Sequence, residues 1–282
     1  MRINHNISSM ITQGALNGTN RAMGKNIERL STGLRVNRAS DDAAGLGVSE
    51  NLRTQVRGTA QAIRNAQDGI AALTIAEGAA NEISAVLQRM RELAIQSAND
   101  TLTSVERNYT NQEFQALNDE INRIAQVTNY NGMSLLQGGG ANRFGNTDSV
   151  LWVDANDVVG ADSITVSIAT LSNADTNGIQ TENLILTSQT DSVAAITRLD
   201  LAINSVNEMR SDVGAYINRL EHAINNLQIS NTNQQAAESI IRDVDFAMES
   251  TEYTKNQILL QSGTAMLSQA NMVSQSVLQL LS

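Results

Sequence analysis

Residues 259–281 read Leu-Leu-Gln-Ser-Gly-Thr-Ala-Met-Leu-Ser-Gln-Ala-Asn-Met-Val-Ser-Gln-Ser-Val-Leu-Gln-Leu-Leu. Leu259, Met266, Ala270, Val273, Val277 and Leu280 recur at steps of seven, four, three, four and three. That spacing places them on one stripe of a helix. The other face carries Gln261, Ser268, Gln269, Asn271, Ser274 and Gln275, and no charge follows Lys255. Such a helix is marginal in water and needs another helix over its stripe. Covering one Leu or Met fully contributes about 1.5–3 kcal/mol, so a handful of covered positions decides whether the segment folds.

The opposite end of the chain offers a cover. Ile3, Ile7, Met10, Ile11, Ala15 and Leu16 lead into Met23, Ile27, Leu30 and Leu34, which step by four, three and four. This second stripe is also surrounded by Asn, Ser, Thr and Gln. Ile3, Ile7, Met10, Met23, Ile27, Leu30 and Leu34 are therefore set against Leu259, Met266, Ala270, Val273, Val277 and Leu280 as an assembly seam. Two weakly charged ends of this kind can pair and still keep apolar surface for neighbours. From periodicity alone, a terminal helix folded back on its own domain stands equally open.

Composition favours thin helical layers. The chain has 282 residues, no Pro and only 3% aromatics, so nothing forces a break in a long helix and a thick core is short of filler. A net charge of −10 argues against nucleic acid and anionic membrane as partners. Cysteine is absent, which removes disulfide and thiolate chemistry. The start Met-Arg-Ile-Asn-His-Asn shows no cleavable signal peptide, and no continuous apolar run of about 18 residues suggests a membrane span.

In chain order, Gly33, Asn37 and Ser40-Asp-Asp42 read as a connector, with Ser40 or Asp41 as a cap for the next helix. Ile63, Ala66, Ile70, Leu73, Ala76, Ala80, Ile83, Leu87, Met90 and Ala94 step by three or four without a slip and predict one helix from about Asp42 to Ser97. Gly58, Gly69 and Gly78 weaken it by up to about 1 kcal/mol each relative to Ala, and admit close contacts. Ser104 is a candidate cap for a return helix through Phe114, Leu117, Ile121, Ile124 and Val127; Asn131-Gly132 predicts a hairpin turn. Val150-Leu-Trp-Val, Ile164-Thr-Val-Ser-Ile and Leu184-Ile-Leu read as short strands. Ile196 to Leu227 gives the cleanest stripe, and Ala236, Ile240, Val244 and Met248 lead on to the C-terminal helix.

The expected fold is mainly α: a long antiparallel helical rod with paired N- and C-terminal coiled-coil helices and a small β-rich outer insertion. Its parts are 1–44 (terminal helix and connector), 45–137 and 189–235 (helical core), 138–188 (insertion) and 236–282 (connector and terminal helix). The insertion is expected at the end far from the termini and to be expendable for assembly.

No chemistry stands out. His5 and His222 lie in unrelated contexts, and Glu221-His222 lacks the earlier His of a zinc site. Asp41 with Asp42, and Asp243 with Asp245, are better explained as caps and loop residues. Asn6, Asn17, Asn99 and Asn108 sit in N-x-[ST] triplets, which an Asn-rich chain produces by chance. No enzyme activity, metal or cofactor is expected.

Several stretches together resemble bacterial flagellin. They are Arg2-Ile-Asn-His-Asn6, Glu28-Arg-Leu-Ser-Thr-Gly-Leu-Arg-Val-Asn-Arg38, Asp41-Asp-Ala-Ala-Gly-Leu46, Gln88-Arg-Met-Arg-Glu-Leu-Ala-Ile-Gln96 and Tyr130-Asn-Gly-Met133. Toward the other end are Asn218-Arg-Leu-Glu-His222, Ala237-Glu-Ser-Ile-Ile-Arg-Asp-Val-Asp245 and Val277-Leu-Gln-Leu-Leu281. The resemblance covers about residues 1–137 and 190–282. Ser282 stands where the family often has Arg, and Phe246 where Met is frequent. The resemblance implies a subunit of a helical homopolymer, exported unfolded by the flagellar type III apparatus, with paired termini forming an inner tube. It implies an export chaperone on about 243–282, filament cap and junction proteins as partners, and recognition of Arg89, Leu93 and Glu113 by the flagellin-sensing Toll-like receptor of a host. The site would be outside the cell or in the periplasm. The other reading is a hook-filament junction protein or a secreted flagellin-like adhesin built on the same helices.

Overall fold

The computed structural model describes residues 6–137, 143–144, 149–156, 162–172 and 179–279, without the side chains of 273–279. Ile3, His5 and Leu280, and the side chains of Val273 and Val277, lie outside that description. The chain divides into two compact units, 1–56 with 232–282, and 57–231.

The larger unit is built on α2 (Ala43–Ser97), α3 (Ser104–Val127) and α4 (Gln189–Arg242). Its pairings run antiparallel. Ser192 Oγ donates to Ser97 Oγ at 3.1 Å, Arg91 meets Asp200 at 2.6 Å, and Asn231 donates to Thr59 at 2.7 Å. Arg89 and Arg107 tie α2 and its end to α3 in the same sense, through Glu113 and the Ser97 carbonyl. The predicted stripes are what the core is made of. Ala66, Leu73, Ala76, Ala80, Ile83, Leu87, Met90 and Ala94 are buried on α2, with Phe114 and Ile121 on α3 and Leu199, Val206, Met209, Val213 and Leu220 on α4. Ala at four of these eight α2 positions keeps the layers close, as the shortage of aromatics requires. A window of α2 averages a hydropathy of 1.3, so by length and composition alone this helix passes as a membrane span, which the count of continuous apolar residues had not suggested. Its stripe is covered by α3 and α4, as in a core helix.

Two caps sit one position away from expectation. α3 is capped by Thr103, not Ser104: Thr103 Oγ1 accepts from Glu106 N while the Glu106 carboxylate accepts from Thr103 N at 2.7 Å. Glu106 lies at the third helical position, which is what this reciprocal box needs. At the start of α2, Asp42 Oδ1 accepts from Gly45 N at 2.8 Å. Asp41 is drawn instead to Lys25 and to the Arg38 amide, and the Lys25 contact is the main reason its carboxyl sits below the ordinary range. The hairpin of β1 (Asn129–Tyr130) and β2 (Met133–Ser134) turns at Asn131 and Gly132, both at positive φ (50° and 76°), as a two-residue turn of this hand demands.

The insertion is part of this core. β3 (Ser149–Trp152) pairs antiparallel with β4 (Ser163–Val166), Leu151 opposite Ile164. Val153, Ile164, Val166, Ile168, Leu171, Ile179 and Leu186 are buried in one cluster with the helices. A Cβ on Gly58 would stand 2.6 Å from the Ala155 Cβ and 3.3 Å from its Cα, so this glycine lets the segment's backbone sit down; one on Gly69 would stand 2.5 Å from Leu151 Cδ1, a side-chain end that could turn aside. The segment runs along the helices, from Gly58 up to Ser97, rather than standing at one end of them. The strand expected at Leu184–Leu186 is absent. Its backbone bonds go to helix side chains: Gln115 donates to the Leu184 carbonyl (2.7 Å), Asn111 accepts from Leu186 N (2.8 Å), and Ser97 donates to the Leu186 carbonyl (3.0 Å). With those groups satisfied, no partner strand is required.

Candidate assembly interface

The smaller unit brings α1 (Ile7–Thr32) alongside α5 (Phe246–Gln279). Asn6 caps α1 by accepting from Ser9 N, and its amide donates to the Ala270 carbonyl at 3.0 Å. Leu16 faces Gly263, and Arg29 meets Glu249 at 3.5 Å. The pair is therefore antiparallel. Where α1 ends, Gly33 takes a left-handed φ of 73° and returns its N–H to the Arg29 carbonyl, a conformation that costs Gly nothing. The chain then forms a one-pair backbone clasp, Leu34 opposite Asp243. In it Arg35 N donates to the Arg242 carbonyl (2.6 Å) and Val244 N to the Gly33 carbonyl (3.0 Å).

The helices touch along heptad-spaced faces. On α1 the partly covered positions include Ser9, Thr12, Leu16, Thr19, Met23 and Leu30; on α5 they are Tyr253, Asn256, Leu260, Gly263, Leu267 and Ala270. Half of that face is polar or small. The one buried side chain on α1 is Asn26, and among the described side chains of α5 it is Glu249. They bond each other. With its amide nitrogen turned to α5, Asn26 donates to Glu249 Oε1 at 3.0 Å and accepts from Tyr253 N and Asn256 Nδ2.

The expected seam is distributed differently. Met23, Leu30, Leu34 and Ala270 are half-buried within the chain, whereas Ile7 (55% exposed), Met10 (63%), Ile27, Leu259 and Met266 (63%) stand open. Ile11, Ile258 and Met272 add to the open apolar surface. So the chain's own pairing uses the poorer face of each helix and leaves the richer one uncovered. Asn26, Arg29, Glu249 and Gly263 escaped a search for apolar periodicity. The four-three alternation from Glu249 to Ala270 passes through Glu249 and Gly263, and the matching one from Ser9 to Leu30 passes through Asn26; Arg29 lies on neither.

The second candidate site lies in the larger unit. The Arg89 guanidinium donates to Glu113 Oε1 at 2.8 and 3.0 Å and to Glu92 at 3.0 Å, all on the surface. These contacts, Glu113 first, hold its pKa above the ordinary value. Leu93 does not join them at the surface. It is 1% exposed and belongs to the core beneath.

Among the described residues no three His, Asp or Glu side chains converge on a metal-sized site. The comparisons place the chain among structural proteins. The bacterial flagellin N-terminal helical region matches residues 3–141, and the bacterial flagellin C-terminal helical region matches 196–281. Flagellin FlaB2 of Treponema pallidum is 45% identical over 289 residues, and so is a flagellar filament 33 kDa core protein of Treponema phagedenis, each covering all of both chains. The crystal structure of Bacillus cereus flagellin superposes with a TM-score of 0.51 at 32% identity, over 62% of this chain and 94% of that one.

Proposed function

We propose, because the chain belongs to the bacterial flagellin family, that the open apolar faces of α1 and α5 are where neighbouring copies meet in the polymer. Membership makes the chain a structural subunit of the flagellar filament. The observation that carries the site-level reading is the exposure of Ile7, Met10, Ile27, Leu259 and Met266 on helices that are already paired. So many large apolar side chains left open on two paired helices mark surface that a partner covers. A polymer that covers it also repays the backbone entropy of ordering two marginal helices, on the order of 1–2 kcal/mol per residue. Val273, Val277, Leu280 and Ile3 extend the same stripes in sequence.

The remaining partners follow from the same reading. Before assembly the face at 243–282 needs a chaperone; in the filament the terminal pair forms the inner layer and residues 45–235 the layer around it, ending at cap and junction proteins. The Arg89–Glu113 ledge is the receptor-facing surface, with Leu93 supporting it from below. The filament works outside the cell or in the periplasm, and the chain performs no catalysis.

Ile27→Asp or Met266→Asp tests the seam. Either should abolish sedimentable filaments while leaving the thermal unfolding of the monomer's helical core unchanged. Normal filaments from both would reject the seam, and assemblies that never extend beyond rings or short plugs would favour a junction role.

A further inference from the structure

We propose that Asn26, Glu249 and Arg29 set the register of the terminal pair: they decide which turn of α5 lies against which turn of α1. The proposal rests on the reading of these two helices as the polymerising pair. The apolar residues of the seam do not carry this information. Leu16, Met23 and Leu30 are seven residues apart, and so are Tyr253, Leu260 and Leu267. Sliding one helix past the other by a heptad returns each row to the same kind of position, Leu16 passing from the small Gly263 to the small Ala270, so the packing alone has several nearly equivalent solutions.

The polar network has one. In the observed register Glu249 is enclosed by Asn26 and by Arg29, whose side chain reaches it from the rim at 30% exposure. Asn26 uses both ends of its amide, donating to Glu249 and the Ala22 carbonyl and accepting from Tyr253 N and Asn256. A slip in one direction brings Asn26 against Leu260; a slip in the other brings Glu249 against Met23. Either move buries unpaired polar groups against apolar side chains, which is heavily penalised. A single buried polar group in an otherwise repetitive helical seam is the recognised way to single out one alignment, and it does so at some cost in stability. The backbone clasp at Leu34 and Asp243 is the competing device, since it involves no side chains and would act whatever occupies positions 26 and 249.

The two are separated by high-resolution electron cryomicroscopy of filaments from full-length Asn26→Leu/Glu249→Leu, beside wild type and Glu249→Gln. Wild-type filaments should show Leu16 against Gly263. The Leu/Leu variant should polymerise as readily, because an apolar pair replaces a costly polar one, yet show α5 in shifted or mixed registers. Glu249→Gln, which keeps an acceptor for Asn26, should retain the wild-type alignment. A Leu/Leu filament with Gly263 still sharply opposite Leu16 overturns the proposal and assigns register to the clasp. Failure of Leu/Leu to polymerise at a concentration where Glu249→Gln does also overturns it, making the network a stabilising contact. Wild-type filaments in which α1 and α5 are not packed together would instead break the underlying seam reading.

Discussion

The two units spend their apolar residues in opposite ways. In the larger one, the stripes of α2, α3 and α4 turn inward, and Leu73, Ile83, Leu87, Met90 and Phe114 have no contact with water. In the smaller one, the best apolar residues of the two terminal helices point out, and the most enclosed described side chains on those helices are an amide and a carboxylate. The first arrangement is self-sufficient. The second is, on the proposed reading, a surface that other copies cover, with polar bonding that keeps its two helices aligned. On that reading stability and assembly are carried by different residues of one chain.

Amide exchange on monomer gives the largest expected contrast. Protection in α1 and α5 should be orders of magnitude below that at Ile83, Leu87 and Phe114, because local opening there exposes little that was buried. On polymerisation the terminal amides should slow to core-like rates. Equal protection of both units in monomer would erase the distinction. Replacing residues 149–171 by a Gly-Ser linker is the next largest perturbation. It uncovers the patch of core that Ile164, Val166, Ile168 and Leu171 now fill, each worth about 1.5–3 kcal/mol when fully buried. The melting temperature of the larger unit should fall by well over ten degrees. An unchanged melt would mean that the segment adds no stability to the core.

The smallest effect concerns the α3 cap. Bonds from Thr103 hold the Glu106 carboxyl below its ordinary 4.5. A carboxylate whose folded pKa is depressed contributes stability above its unfolded value and loses it as pH falls through the folded one. Glu106→Gln should therefore be slightly less stable than wild type at neutral pH and indistinguishable from it well below pH 4.5, as read by paired thermal melts. A difference that persists at low pH would mean the side chain acts by packing.

Most of the helical core was legible because its periodicity is long and uniform: every stripe position from Ile63 to Ala94 is buried or half-buried. The hairpin at Asn131-Gly132 was legible for a different reason, since few dipeptides tolerate positive φ twice. Three things were not. Thr103 and Ser104 are equally good caps by composition, and only the distance to Glu106 separates them. The Leu184–Leu186 segment has strand-like residues, but its backbone is satisfied by Gln115, Asn111 and Ser97, which lie far away in sequence. The terminal seam was sought on the most apolar stripe, a sound rule for a chain that folds alone. Here Leu259 and Met266 are left open while Glu249 and Asn256 face inward, and a single chain's sequence gives no sign of how many copies share the burial.

Gly58 and Gly69 leave two notches of bare backbone on α2, filled by Ala155 and Leu151. Ala155 and Leu151 are thus two footholds of the segment, and Val153, Ile164, Val166, Ile168 and Leu171 are held by the core as well. Its exposed residues, such as the half-exposed Val150, carry no such obligation. The outer chemistry of this segment can thus drift widely, changing what the surroundings meet, while the held residues keep the helices beneath indifferent to the change.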